Sequence, residues 1–171
     1  PIWISADQIA SMGSLQLSAF GTLQIQALDS DQIQAIETAD LAVLTTAQLS
    51  KLATDTVAML STDQVVALTT TQIKSLTSAQ INALSEDQLG AIETADVAAL
   101  TTYQISKLAT ASLALLSTDQ VVAFTTAQVA SLTATQAAGL TSDQVTAFST
   151  AQTRALTTSA LNGLEIGRAH V

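Results

Sequence analysis

The sequence predicts an all-α solenoid, a superhelix of very short capped helices with one helix per eight-residue repeat. Three observations predict it. An eight-residue phrase recurs along nearly the whole chain, each phrase carries two apolar positions, and each opens on a helix-capping signature. "LSTDQVVAL" at Leu60 to Leu68 returns as "LSTDQVVAF" at Leu116 to Phe124, with "LTTTQIKSL", "LTSAQINAL" and "LTTYQISKL" between them.

The first element is the octad itself, numbered so that position 8 is the large apolar residue. Position 8 holds Met12, Phe20, Leu28, Ile36, Leu44, Leu52 and Leu60 and continues to Leu164, twenty octads in all. Position 5 is also apolar: Ile9, Leu17, Ile25, Ile33, Leu41, Leu49, Val57, Val65 and onward, weakened only at Ala137 and Thr153. Position 4 is usually Gln (Gln8, Gln16, Gln24, Gln32, Gln48, Gln64). Positions 1 and 2 are mostly Ser or Thr, and position 7 is mostly Ala, Ser or Gly.

Spacings of three and five would place positions 5 and 8 on opposite faces of a strand. A continuous helix fits no better, because eight residues at ~100° each overshoot two turns by ~80° and the apolar stripe would spiral around the rod. Short separate helices do fit. Ser or Thr followed three residues later by Gln is a capping box, and the apolar residues at N′ and N4, such as Leu60 and Val65, form a hydrophobic staple. Ser61 is expected to accept from the Gln64 backbone N–H while the Gln64 side chain reaches back to the Ser61 N–H. Helices of about six residues follow, joined by turns of one or two residues. Isolated helices below ~12 residues are marginal in water, so such octads must bury their apolar faces against one another. Small residues such as Ala67, Ser75 and Ala83 are expected to let successive helices approach closely.

A second period overlies the first. "AIETAD" occurs at Ala35 and Ala91, and "LSKLAT" around Lys51 is answered by "ISKLAT" around Lys107, both seven octads apart. Duplication of a seven-octad block explains this. So does a whole number of superhelical turns, which would align Glu37 with Glu93 and Asp40 with Asp96. The octads with Ala53 and Thr56 and with Ala109 and Ser112 lack both cap hydroxyl and Gln. Near the start, Gly13 and Gly21 occupy position 1 and Leu15 and Leu23 position 3, and Trp3 precedes the first octad. This reads as a changed packing face, the edge of another domain, or drift within the array.

The chain of 171 residues is 48% apolar, only 3% aromatic and 11% charged, with a net charge of −9. The five basic residues, Lys51, Lys74, Lys107, Arg154 and Arg168, are scattered, which argues against nucleic acid as a partner. No apolar run approaches the ~20 residues that cross a bilayer, so membrane insertion is not expected. There is no cysteine, hence no disulfide and no thiolate metal site.

No nucleophile–base pair is found, because the single histidine is His170, close to the C-terminus. No G-x-G-x-x-G or Walker motif occurs. No catalytic residue, cofactor or metal site is therefore expected. Asp63, Asp87, Asp119 and Asp143 share position 3, where a carboxylate favours the positive end of a helix dipole; that role outweighs a calcium ladder. Glu86 beside Asp87 reads as a solvated face. With position 1 assigned to capping, position 2 is the candidate display row: Thr62, Thr70, Thr94, Thr102, Thr118 and Thr126.

The octad L-[S/T]-T-x-Q-[I/V]-x-A-L resembles repeats of very large bacterial secreted or surface proteins of adhesin-like or hemolysin type. The resemblance spans residues 5–164 and implies an extended, non-enzymatic stalk or scaffold at the cell surface or outside the cell. Its partners would be other domains of a longer parent chain. The alternative is a surface that binds ice, glycan or protein through the Thr/Ser row. The last seven residues, EIGRAHV, break the repeat and resemble a translated sequencing-library adapter (GAG ATC GGA AGA GCA CAC GTC). On that resemblance residues 165–171 are expected to be non-native, and residues 1–4 a partial preceding segment.

Overall fold

The computed structural model describes residues 4–168, with side chains to Leu164. Trp3, His170 and the side chains of the adapter-like tail lie outside the described residues, so the expectations attached to them do too. All regular structure among the described residues is helical, and it divides into two compact units, Pro1–Ile92 and Glu93–Val171.

The first unit contains α1 (Ala6–Ala10), α2 (Ser14–Ser18), α3 (Thr22–Gln26), α4 (Ser30–Gln34) and α5 (Thr38–Leu41). It continues with α6 (Thr46–Lys51), α7 (Thr54–Ala58), α8 (Thr62–Val66), α9 (Thr70–Ser75), α10 (Ser78–Asn82) and α11 (Glu86–Ala91). The second unit begins with α12 (Thr94–Ala99), α13 (Thr102–Lys107), α14 (Thr110–Leu115), α15 (Thr118–Val122) and α16 (Thr126–Ala130). It ends with α17 (Ala134–Ala138), α18 (Ser142–Ala147), α19 (Thr150–Ala155) and α20 (Thr158–Arg168). Each octad thus makes one helix. Eight of the nineteen connections have the expected two residues, as at Leu76–Thr77; the others have three, or four over 42–45, where the C-cap, core and N-cap positions all fall outside the helix proper.

Helices whose octads carry the capping-box residues start as the sequence predicts, whereas α5, α7, α12 and α14 have no side-chain cap. Ser61 is extended (φ −70°, ψ 161°), and its Oγ accepts from the Gln64 N–H at 3.1 Å. The Ser61 N–H donates to Gln64 Oε1 at 2.9 Å, which closes the box. Where Gly13 and Gly21 replace the hydroxyl residue, the glycine carbonyl takes the N3 amide instead, and Gln16 and Gln24 still accept from the glycine N–H at 3.0 and 2.7 Å. Helices end without left-handed residues: no described residue has positive φ. The chain leaves through a tightened last turn, as where Leu68 N–H donates to the Val65 carbonyl three residues back. This is why Ala, Ser, Lys and Leu serve at helix ends where glycine would be the common choice.

Within each unit a helix packs on the one three octads away. In the first unit the pairs include α3 with α6, α6 with α9 and α8 with α11; in the second, α12 with α15, α13 with α16, α15 with α18 and α17 with α20. The position 5 row forms the innermost layer, with Ile25, Ile33, Leu41, Leu49, Ile105 and Leu113 fully buried, and the position 8 row from Leu28 onward lies just outside it. Small residues at position 7 do permit close approach, but to the helix three octads back rather than to the successive one. A Cβ on Gly139 would stand 1.8 Å from Thr110 Cγ2, and one on Gly163 only 2.2 Å from the Ala134 carbonyl oxygen. Turn contacts turn; neighbours in sequence merely follow each other around.

Candidate functional site

The position 4 glutamines are the polar centre of the fold. From Gln32 onward they are buried, at 1–5% exposure. Each amide is divided between two tasks. Its Oε1 belongs to the capping box of its own helix, and its Nε2 crosses to the turn below. Gln64 Nε2 donates to the carbonyls of Ile33 and Ile36, both at 2.9 Å. Gln72 reaches Leu41 and Leu44 at 3.0 and 2.8 Å, and Gln80 reaches Leu49 and Leu52 at 3.0 and 2.9 Å.

The second unit repeats the arrangement. Gln128 donates to Val97 and Leu100 at 2.9 and 2.7 Å, and Gln136 to Ile105 and Leu108 at 2.8 and 2.9 Å. Gln144 and Gln152 follow, onto Leu113 with Leu116 and onto Val121 with Phe124. The acceptors are the otherwise orphaned carbonyls at the end of a short helix. One side chain thereby satisfies the start of its own helix and the end of another lying 28 to 31 residues earlier. Sequence reasoning found the first task and missed the second. The available signal was that Gln, and never Glu, recurs at this position: both complete a capping box, but only Gln keeps a donor to spare.

The 28-residue return corresponds to three and a half octads within each unit. Seven octads, the longer sequence period, are two such returns.

Exceptions at position 4 are resolved locally. Asp40 is buried, and Ser14 Oγ donates to its Oδ1; Asp is too short to span both the cap and the lower turn, and Glu37 provides no side-chain cap. At Thr56 the amide is missing and position 7 is the bulky Met59. There α7 stands more loosely on α4, leaving a recess of about 220 Å³ lined by Ser30, Asp55, Thr56 and Met59. Gln34 Nε2 reaches the Met59 carbonyl at 2.9 Å from the helix below.

The six display-row threonines, Thr62, Thr70, Thr94, Thr102, Thr118 and Thr126, are all exposed. Stacking brings some of them onto packed helices: Thr94 on α12 with Thr118 on α15, and Thr102 on α13 with Thr126 on α16. In the first unit Thr62 and Thr70 sit on α8 and α9, which stack instead on the helices carrying the exposed Thr38 and Thr46. A single row in the sequence therefore becomes a two-dimensional array on each unit, and Thr38 and Thr46 belong to it.

The outer face carries little else of chemical note. Asp63, Asp87, Asp119 and Asp143 are exposed in the first turns of their helices, and Glu86 is exposed beside Asp87. Lys107 Nζ lies 5.8 Å from the centre of the Tyr103 ring, one helical turn away on α13. Among the described residues no cluster of three or more His, Cys, Asp or Glu is placed to hold a metal ion, and no helix is long and apolar enough to cross a membrane.

No curated protein matches the chain. A model of the ALTTAQ repeat matches three times, over residues 33–70, 65–91 and 89–126, together more than half of the chain. Each letter of that repeat has a place in the geometry just described, as in ALTTYQ at Ala99–Gln104: a small residue, a core residue, the cap, an exposed threonine, an outward residue and the ladder glutamine. The chain belongs to the ALTTAQ repeat family.

Proposed function

We propose that this segment is a non-enzymatic structural repeat, a stalk or scaffold that spaces other domains of a larger bacterial surface or secreted protein. The observation that carries this reading is the glutamine ladder. The recurrent buried polar group of the octad is committed to holding one turn on the next, and the same arrangement recurs in both units. A device of this kind adds length without a new core for each addition. The cysteine-free composition and the resemblance to large secreted repeats support an extracellular or cell-surface setting.

The test is an internal deletion of residues 37–92, seven octads, with spin labels at the exposed Ser18 and Ser159. A spacer keeps its helical spectrum and cooperative melt, and the label separation shortens by a fixed step. A deletion that unfolds the chain or leaves the separation unchanged would sink the reading.

A second reading is favoured by the exposed threonines on stacked helices: a regular hydroxyl surface for ice, glycan or protein. Thr→Ser at Thr94, Thr102, Thr118 and Thr126 separates the two. A stalk tolerates the change, whereas a binding lattice loses thermal hysteresis or glycan affinity along with the methyl groups.

A further inference from the structure

One rung of the glutamine ladder is missing inside the first unit, with intact rungs on both sides of it. Gln48 Nε2 donates to the Phe20 carbonyl at 2.7 Å, and Gln64, Gln72 and Gln80 hold the carbonyls of Ile36, Leu44 and Leu52. The ladder register, 28 and 31 residues back, assigns the carbonyls of Leu28 and Ile25 to position 56, where threonine replaces glutamine. The Leu28 carbonyl receives no donor among the described residues, and that of Ile25 takes backbone N–H groups alone.

The gap is held open rather than closed over. Thr56 is too short to stand where a glutamine amide would, and Gln34 Nε2 spans from α4 to the Met59 carbonyl on α7 at 2.9 Å. Between them lies the recess of about 220 Å³ lined by Ser30, Asp55, Thr56 and Met59. That is below the roughly 300–1,000 Å³ of pockets for drug-sized ligands, so it suits one small group.

The intact rungs show which group these carbonyls take: a single nitrogen bearing at least two N–H donors. A carboxamide and a primary ammonium both qualify, and the charge on the rim selects the cation. Asp55 lines the recess, Asp29 and Asp31 flank Ser30 in the chain, and all three are exposed. These carboxylates do not gather as metal ligands do, so the cation is an organic one. The hydroxyls of Ser30 and Thr56 offer acceptors for a third N–H, and the Met59 side chain, 47% exposed, offers an apolar wall for an alkyl chain.

We infer that the recess between α4 and α7 binds a primary ammonium group carried on an unbranched alkyl chain. Its nitrogen donates to the Leu28 and Ile25 carbonyls in place of the missing amide, and Asp55 balances its charge. A free amine and a lysine side chain share this chemistry. The site lies within one unit and stands independently of the spacer reading.

Amide NMR titration of the full chain with n-butylammonium tests this. Saturable shifts should be confined to amides near Leu28, Ser30, Asp55 and Met59, with a Kd of about 1–10 mM for so small a ligand. n-Butyltrimethylammonium has the same charge without an N–H donor and should produce no saturable shift. Nα-acetyl-lysine methylamide separates the two sources: it binds comparably if the recess admits a side chain, and a free amine alone is the ligand if it does not. Asp55→Asn should weaken n-butylammonium about two- to fivefold. Thr56→Gln supplies the missing amide, so it should abolish binding while raising the melting temperature, which separates a filled site from a misfolded one. A wild type without saturable shifts, equal binding of the trimethylammonium analogue, or a Thr56→Gln chain that binds as the wild type does would each overturn the inference.

Discussion

Gln64 and Ile36 lie 28 residues apart in the chain, and the Gln64 amide nitrogen stands 2.9 Å from the Ile36 carbonyl oxygen. The same amide holds Ser61 through its oxygen, so one buried side chain couples local helix initiation to turn-on-turn stacking. Its replacement should therefore cost more than the loss of a cap.

Ser61→Ala removes only the hydroxyl half of the box and should lower stability by ~1 kcal/mol. Gln64→Glu keeps the cap but places a carboxylate against two carbonyls, and should cost ~3 kcal/mol or more at neutral pH. Burial raises the folded-state pKa of such a glutamate, so the destabilisation should be least at acid pH, where the protonated group can donate, and grow as pH rises through the usual carboxylate range. Urea midpoints for both variants between pH 4 and pH 8 check this.

Turn-to-turn spacing is set at position 7. Gly139→Ala directs its new methyl at the Thr110 methyl and should destabilise by ~1–3 kcal/mol, with Thr110→Ser in the same chain restoring most of the loss. Gly163→Ala meets the Ala134 backbone carbonyl, which has no rotamer to change, and should cost more, with no side-chain truncation to relieve it. Thermal melts of the three variants separate these outcomes.

The inner layer and the outer face should respond differently to the same truncation. Ile33 is 0% exposed, and Ile33→Ala should cost ~2–5 kcal/mol. Leu23 is 79% exposed, and Leu23→Ala should stay within ~0.5 kcal/mol of the wild type. Denaturant titration of the two single variants is sufficient.

Ser14 is the donor to the buried Asp40 carboxylate. Ser14→Ala should leave that group unsatisfied and cost ~1–3 kcal/mol. Adding Glu37→Thr and Asp40→Gln rebuilds the common octad, with the new amide in reach of the Ile9 and Met12 carbonyls, and should recover the loss. A triple variant no more stable than Ser14→Ala would show that the ladder cannot be extended to this octad.

By itself the sequence determined the repeat unit, the helix starts and the core rows. Those depend on contacts within a few residues, such as the Ser61–Gln64 box, and on a periodicity repeated often enough to survive exceptions such as Ala53 and Thr153. Only the tertiary structure decided which carbonyls each glutamine meets, that Gly139 faces Thr110, and that Asp40 is answered by Ser14. These pairings lie 26 to 31 residues apart. They follow from the rotation between consecutive short helices, accumulated over three and a half octads. No single octad carries a signal for that sum, so the same eight letters that dictate the helix leave its distant partner to be settled by packing.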